Sequence, residues 1–253
     1  MTRQVFNICL SGLLLMGTSH SLAQSKNVII SDELSATAEM WKVKLGTQAF
    51  GKIKNFQFGD YTIVKSKMGW TVTDQNSNLI NTKTESSSEN KFSFVLDNKT
   101  SDSAIVNAIR NMEVKEIQSI ELFPHFYFGE DELVSSSTYF LSFITRSNNR
   151  DETWILSKEE TYGSEVEDKF EASLRNGDRI IHIIPASSNK YGEEPQMLPA
   201  RGYEFVENKK SLCAMQYLAS GAFGTNKSIV WLKSDLDPEM KLILAAAMTS
   251  LML

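Results

Sequence analysis

Residues 237–253 read DPEMKLILAAAMTSLML. Asp237 is a residue type that caps helix N-termini, and Pro238 suits the first helical position, where a backbone N–H would have no partner. From Leu242 to Leu253 there is no charge, and apolar side chains surround the axis of the predicted helix. A helix with no polar stripe has to be enclosed by protein or by lipid. Its 16 residues extend about 24 Å, short of the roughly 30 Å of a bilayer core, so enclosure by the rest of the chain is expected.

The residues available to enclose it are strand formers. Trp41, Val43 and Leu45 alternate with Lys42 and Lys44, the period of a half-buried strand. Phe56, Phe58 and Tyr61 to Val64 flank the turn pair Gly59-Asp60. Thr71 to Thr73, Lys91 to Leu96 and Tyr139 to Thr145 alternate in the same way. Asn176-Gly177, two residues that tolerate positive φ, predicts a hairpin over Phe170 to Pro185. A second hairpin joins Tyr203 to Val206 with Leu212 to Tyr217 across Glu207 to Lys210. A second helix is expected from Ser103 to Met112, started by Ser101 or Asp102 and carrying Ile105, Ile109 and Met112 on one face. The Ser-rich tract Thr84 to Asn90 reads as a loop, and Ser135 to Ser137 as polar strand entry. No fixed-period repeat occurs. The expected fold is mainly β: a closed or nearly closed antiparallel β-barrel with a buried apolar C-terminal helix.

The first 23 residues are set apart. Arg3 precedes the largely apolar run Val5 to Met16, and Ser21 and Ala23 occupy the small-residue positions before a cut ahead of Gln24. Residues 1–23 are therefore expected to be a signal peptide and 24–253 a single β-rich domain, periplasmic or secreted, with no transmembrane span in the mature chain. The cut would remove Arg3, taking the formal net charge from −5 to −6, and would leave Cys213 as the one cysteine, which excludes an internal disulfide. The acidic total argues against nucleic acid as a partner, since phosphate neutralisation needs concentrated Lys and Arg.

The strand-turn-strand Phe56 to Lys65, the hairpin Gly202 to Tyr217, the strand Ile229 to Leu232 and the terminal helix together resemble the tubby-like family, including the LURP-one-related and scramblase-like domains. The resemblance is one of architecture, and it implies a barrel wrapped around that helix. Some members of the superfamily bind phosphoinositides through a basic surface. The counterpart here would be Lys42 and Lys44, Lys52 and Lys54, and Lys65 and Lys67, each pair spaced to point one way along a strand. Were the three strands neighbours, the six would share a face able to meet anionic lipid peripherally. A solvated strand face that discourages edge pairing accounts for the same lysines.

No convergent reactive set stands out. The mature chain holds His125, His182 and Cys213, at no metal-ligand spacing, so neither metal nor cofactor is expected. His182 shares a strand face with Ile180 and Ile184 and reads as half-buried; Cys213 reads as a small buried thiol. His125 sits in an aromatic run that leads into Gly129-Glu130-Asp131-Glu132, a setting that would suit carboxylate-based sugar hydrolysis. Aromatics alternate in ordinary strands and acids crowd ordinary turns, however. The expectation is a non-catalytic binding or envelope-structural domain, with a hydrolase near His125 and lipid contact as the alternatives.

Overall fold

The computed structural model describes residues 27–49, 51–69, 71–77, 83–100, 102–117, 120–123, 126–128, 132–189, 192, 196, 198–220 and 228–253. In chain order the elements are α1 (Asp32–Thr37), β1 (Ala38–Lys42), β2 (Thr47–Ala49), β3 (Lys52–Lys54), β4 (Gln57–Phe58), β5 (Tyr61–Met68), β6 (Val72–Ser77), β7 (Lys83–Asp97) and β8 (Ser103–Ile117). There follow β9 (Ile120–Phe123), β10 (Phe126–Phe128), β11 (Glu132–Arg146), β12 (Asn149–Tyr162), β13 (Lys169–Asn176), β14 (Arg179–Ser187), β15 (Arg201–Glu207), β16 (Lys210–Leu218), β17 (Ile229–Lys233) and α2 (Pro238–Met252).

Antiparallel pairing links the main sheet in the order β1-β17-β16-β15-β14-β13-β12-β11-β8-β7-β5-β4, with β6 on β7. Its two ends meet. Just beyond β1, the N–H of Lys44 donates to the carbonyl of Gln57 at 2.8 Å and Gln57 returns the bond at 2.9 Å. That single bridge brings the sheet round into a nearly closed barrel and removes two free edges.

Period-2 alternation then sorts the side chains. Phe92, Phe94 and Leu96 of β7, Val106 of β8, Phe140 and Ile144 of β11, and Leu156 of β12 all point inward and are buried. Helix α2 lies among them and belongs to the same core cluster as residues from strands all around the sheet. Asp237 accepts the N–H of Met240 at 2.8 Å, the expected N-cap, and residues from Leu242 to Ser250 are buried on every side of the axis. The three alanines 245–247 are fully buried, because only small side chains let the strands approach the helix closely. Thr249 and Ser250 satisfy their buried hydroxyls on the carbonyls of Ala245 and Ala246.

The start of the helix is tied to the barrel rim. Arg146, nearly buried, contacts Asp102 at 3.1 Å and Glu239 in the first turn of α2 at 2.7 Å. Asp102 also accepts from the Ser147 hydroxyl, the Ser103 N–H and the Asn148 N–H. Burial alone would raise its pKa; those donors and the Arg146 charge outweigh it and hold the carboxyl below its ordinary value.

Residues 27–37 cover the outer face of β14 to β17. Val28 N–H donates to Gln216 Oε1 and Ser31 N–H to Glu204 Oε1, both at 3.0 Å. Val28 and Leu34 pack with Ala214, Ile229 and Trp231 in a second buried cluster. β15, β16 and β17 therefore bury both faces over much of their length, which explains their continuous apolar runs, while β14 is covered only at its Ala186 end.

The hairpins read from the sequence are present: β4–β5 turns at Gly59-Asp60, β13–β14 at Asn176-Gly177 with Gly177 at φ 54°, and β15–β16 at Asn208-Lys209 with φ 49° and 65°. Two expectations are corrected. Ser103 to Met112 forms no helix but the first part of β8. Ile105 and Ile109 share a face at a spacing of four, which suits a strand as well as a helix, while Ala104, Val106 and Ala108 fill the opposite, inward face. Asp102 accordingly caps a strand hairpin. Thr84 to Asn90 is no loop but part of β7; β6, β7, β8 and β11 extend past the core there, so neither face needs to be apolar. Ser135 to Ser137 likewise lie within β11, fully paired with β8.

Candidate functional site

Along the long strands the inner face changes character. On β7 the inward series Leu96, Phe94, Phe92 continues as Asn90; on β8 Ala104, Val106, Ala108 continue as Arg110; on β12 Trp154, Leu156 continue as Lys158 and Glu160. Register places Asn90, Arg110, Phe140, Lys158 and Ala172 on one level of the wall, opposite one another strand by strand. Helix α2 ends at this level, and beyond Leu251 the barrel holds a chamber of about 820 Å³.

Lys158, Glu160, Phe170, Tyr203 and Tyr217 line the chamber, with Leu251 as its floor. The Lys158 ammonium donates to Glu160 Oε2 at 2.8 Å and to the Tyr203 hydroxyl at 3.2 Å, and lies 5.5 Å from the centre of the Tyr203 ring. Phe170 stacks on Tyr203 at 5.6 Å with 19° between the planes, and Tyr217 lies against the other ring at 5.3 Å. Burial, with the Glu160 charge adding, pushes the Tyr203 hydroxyl up to about 12; burial and its bond with Tyr203 raise Tyr217 as well. Both phenols thus stay protonated donors near neutral pH.

Arg110 stands on the far side of Phe140 from Lys158, two strands away, or about 10 Å at ~4.8 Å per strand. Its guanidinium lies 5.3 Å from the Phe140 ring centre. Partial burial lowers its pKa, and Tyr203 is the group that acts against that lowering.

The wall beside the chamber is split. β13 pairs with β14 only from Ser173↔His182 to Asn176↔Arg179. On their other sides the same strands stay paired much further, β13 with β12 as far as Lys169 and β14 with β15 as far as Ser187. Lys169 to Ala172 therefore diverge from Ile183 to Ser187, and Pro185 in the gap has no N–H to offer a ladder. An outer groove of about 530 Å³ meets the chamber across this slit, sharing Lys158, Phe170 and Pro185 with it.

The six lysines singled out from the sequence are all exposed. Lys42 and Lys44 lie at the end of β1 and just beyond it. Lys65 and Lys67 are on β5, separated from Lys44 by β4. Lys52 and Lys54 belong to β3, which pairs with β2 outside the barrel sheet; between them Ile53 turns inward and exchanges hydrogen bonds with the Ser66 hydroxyl. The bonds between Ile53 and Ser66 set Lys52 and Lys54 beside Lys65 and Lys67, while Lys42 and Lys44 lie across β4 from them. His182 is exposed on the outer wall rather than half-buried, because nothing covers the outer face of β14 at that position, whereas Ile181 and Ile183 take the interior. Cys213 is fully buried, and burial raises its thiol pKa well above the ordinary value. His125, Glu130 and Asp131 lie outside the described residues, as does Gly221 to Gly224. Among the described residues no group of three or more His, Cys, Asp or Glu side chains is placed to hold a metal ion, and no helix is long and apolar enough to cross a membrane.

No family model matches the chain, and comparison with curated proteins and with solved structures finds no match. The chamber is the site that sequence reasoning missed. Its residues come from β12, β13, β15 and β16 and converge only once the barrel closes. The readable signal was the switch from apolar to polar at inward parity, as in Trp154, Leu156, Lys158 and Glu160.

Proposed function

We propose that this domain is a non-catalytic binding protein that holds a small molecule in the chamber beyond α2. One observation carries the proposal: the apolar inner face gives way, at a single level, to an aromatic and charged pocket that opens to solvent past Tyr162, Asp168 and Arg201. A core built only for stability gains nothing from Lys158 turned inward at 15 % side-chain exposure, with Glu160 beside it at 39 % and open to solvent. A concave site with an aromatic wall and a few fixed polar groups is what ligand recognition requires. Tyr203, Tyr217 and Lys158 are already engaged with one another and with Glu160, and the raised phenol pKa values favour hydrogen-bond donation over proton abstraction.

The export reading is part of the proposal. It rests on Arg3 ahead of the apolar run Val5 to Met16 and on the small residues Ser21 and Ala23 before Gln24. The tubby-like resemblance is proposed on architecture alone, supported by the core helix within an antiparallel barrel.

The test is a thermal-shift and calorimetric panel of sugars, organic acids, amino acids and fatty acids against residues 24–253, with Thr138→Trp as the partner protein. Thr138 lines the chamber from β11, and an indole there projects into it and obstructs it. A compound that stabilises the wild type and leaves T138W unmoved supports the proposal. Compounds that act equally on both, or none at all, would overturn it.

A further inference from the structure

Two stretches of the barrel's outer wall are apolar, and they are treated differently. Over β15 to β17 the outward apolar residues are covered by residues 27–37. Over β7, β8, β11 and β12 the outward residues Val95, Ile105, Ile109, Leu141, Phe143 and Ile155 stand outside both buried clusters and are open to solvent, Phe143 and Ile155 each at 40 %. Register makes them one patch: Val95 pairs with Ile105, Ile109 with Leu141, and Phe143 with Ile155. A groove of about 460 Å³ lies within it, among Lys67, Lys91, Ile109 and Phe143. An open apolar patch with polar residues around it marks a contact with a partner.

The charges around the patch identify the partner. On its β5 and β7 side stand Lys65, Lys67 and Lys91, with Lys52 and Lys54 beside them; on its β13 side stands Arg175. Lys65, Lys67 and Arg175 have no carboxylate partner among the described residues, and Lys91 has the exposed Glu89. From the level of Lys65, Val95 and Ile105 to that of Lys91, Ile109 and Leu141, no outward position from β5 to β13 is Asp or Glu. Acids begin one level further, with Glu89, Glu159 and Glu171, and at the opposite end with Asp97. In a chain of net charge −5 this stretch is set apart.

The two cationic flanks are five strands apart, or about 24 Å at ~4.8 Å per strand. A second copy laid on this face would set cation against cation. What fits is a surface that is anionic on both sides of an apolar middle and yields to a convex wall, as an anionic lipid leaflet does.

We infer that the outer face of β7, β8, β11 and β12 rests on an anionic membrane surface. Ile109, Leu141, Phe143 and Ile155 enter between the headgroups, and Lys65, Lys67 and Arg175 meet phosphates on either side. The level of Glu89, Glu159 and Glu171 tilts away from the headgroups. This surface lies across the wall from the chamber and does not depend on it, and Lys42 and Lys44 have no part in it.

Flotation of residues 24–253, which hold every described element, with vesicles of phosphatidylcholine alone or mixed one-to-one with phosphatidylglycerol tests this. The protein is expected to float with the mixed vesicles only, and less so at high salt. Phe143→Thr with Ile155→Thr, and Lys65→Gln with Lys67→Gln, should each weaken binding about tenfold or more. Lys209→Gln with Lys210→Gln, in the β15–β16 turn outside the patch, should change nothing. Should the double threonine variant not fold, Phe143→Thr alone carries the test. No flotation, equal flotation with phosphatidylcholine alone, or equal loss in the Lys209 and Lys210 variant overturns the inference. Binding that the threonine variants leave unchanged overturns it too. A dimer seen by light scattering and dissolved by the threonine variants, without vesicle binding, overturns it in favour of a second copy.

Discussion

Replacing Leu244 by alanine measures how completely the barrel encloses α2. Leu244 is 0 % exposed and belongs to the core cluster that also includes Phe94, Phe140 and Phe205 from strands around the sheet. The substitution removes three carbons, worth about 2.4 kcal/mol at ~0.8 each, and the cavity left in a wall that cannot collapse adds to this. The expected cost is roughly 3–5 kcal/mol. For a domain of this size that lowers Tm by roughly 6–20 °C, at about 2–4 °C per kcal/mol. Leu251, in the same helix but half-buried at the chamber floor, is the internal control. Leu251→Ala makes the same propensity change and should cost about 1 kcal/mol, because much of its side chain has no wall to lose. Thermal unfolding followed by circular dichroism, with urea titration at fixed temperature, reads both. Equal losses for the two variants, or a loss below about 1 kcal/mol for L244A, would refute an enclosed helix.

Arg146→Met should destabilise by about 1–3 kcal/mol, since it removes a charged partner of Asp102 while the Ser147, Ser103 and Asn148 donors remain, whereas Glu239→Gln, at an exposed partner, should cost about 1 kcal/mol or less; urea titration separates them. Asp102 has a folded pKa below its unfolded value, so its contribution is full above the ordinary carboxylate pKa of 3.8 and is lost as pH falls through the lower folded value. Asp102→Asn should therefore flatten the acid limb of stability below that pH, measurable as Tm against pH. Cys213 should resist a thiol reagent in native buffer and react at once in urea, because it is both fully buried and held protonated; rapid labelling of the folded protein would contradict its place in the core.

The fold was readable where local chemistry and tertiary role agree. The sequence from Pro238 to Leu253 has apolar residues on all sides, and only enclosure satisfies it; Asn176-Gly177 dictates its turn whatever surrounds it. β8 was misread because Ile105 and Ile109 fit both periods, and the pairing with β7 and β11 that decides between them is non-local. Thr84 to Asn90 has no apolar face, so its strand state rests largely on backbone pairing with β6 and β8. The chamber was hidden for a related reason: Arg110 on β8, Lys158 on β12 and Tyr203 on β15 carry no motif in sequence, and the barrel's curvature is what turns them toward one point. That β3 lies against β5, and that β4 stands between Lys44 and β5, has no local signature in the sequence.

The order of elements along the chain sets a constraint on folding. β1, the first strand, pairs in the sheet only with β17, and α2, around which all the inward faces pack, follows every strand. During synthesis from the N-terminus, some two hundred residues emerge before the segment that completes their core exists. Until then the inner faces of β7, β8 and β11 have only each other to cover them, and such a curved sheet with an empty concave side is prone to association. Folding of the barrel is in this sense postponed until α2 has been made. A holdase that binds alternating apolar strands would have its longest opportunity here, and truncation within α2 should yield not a smaller domain but an unfinished one.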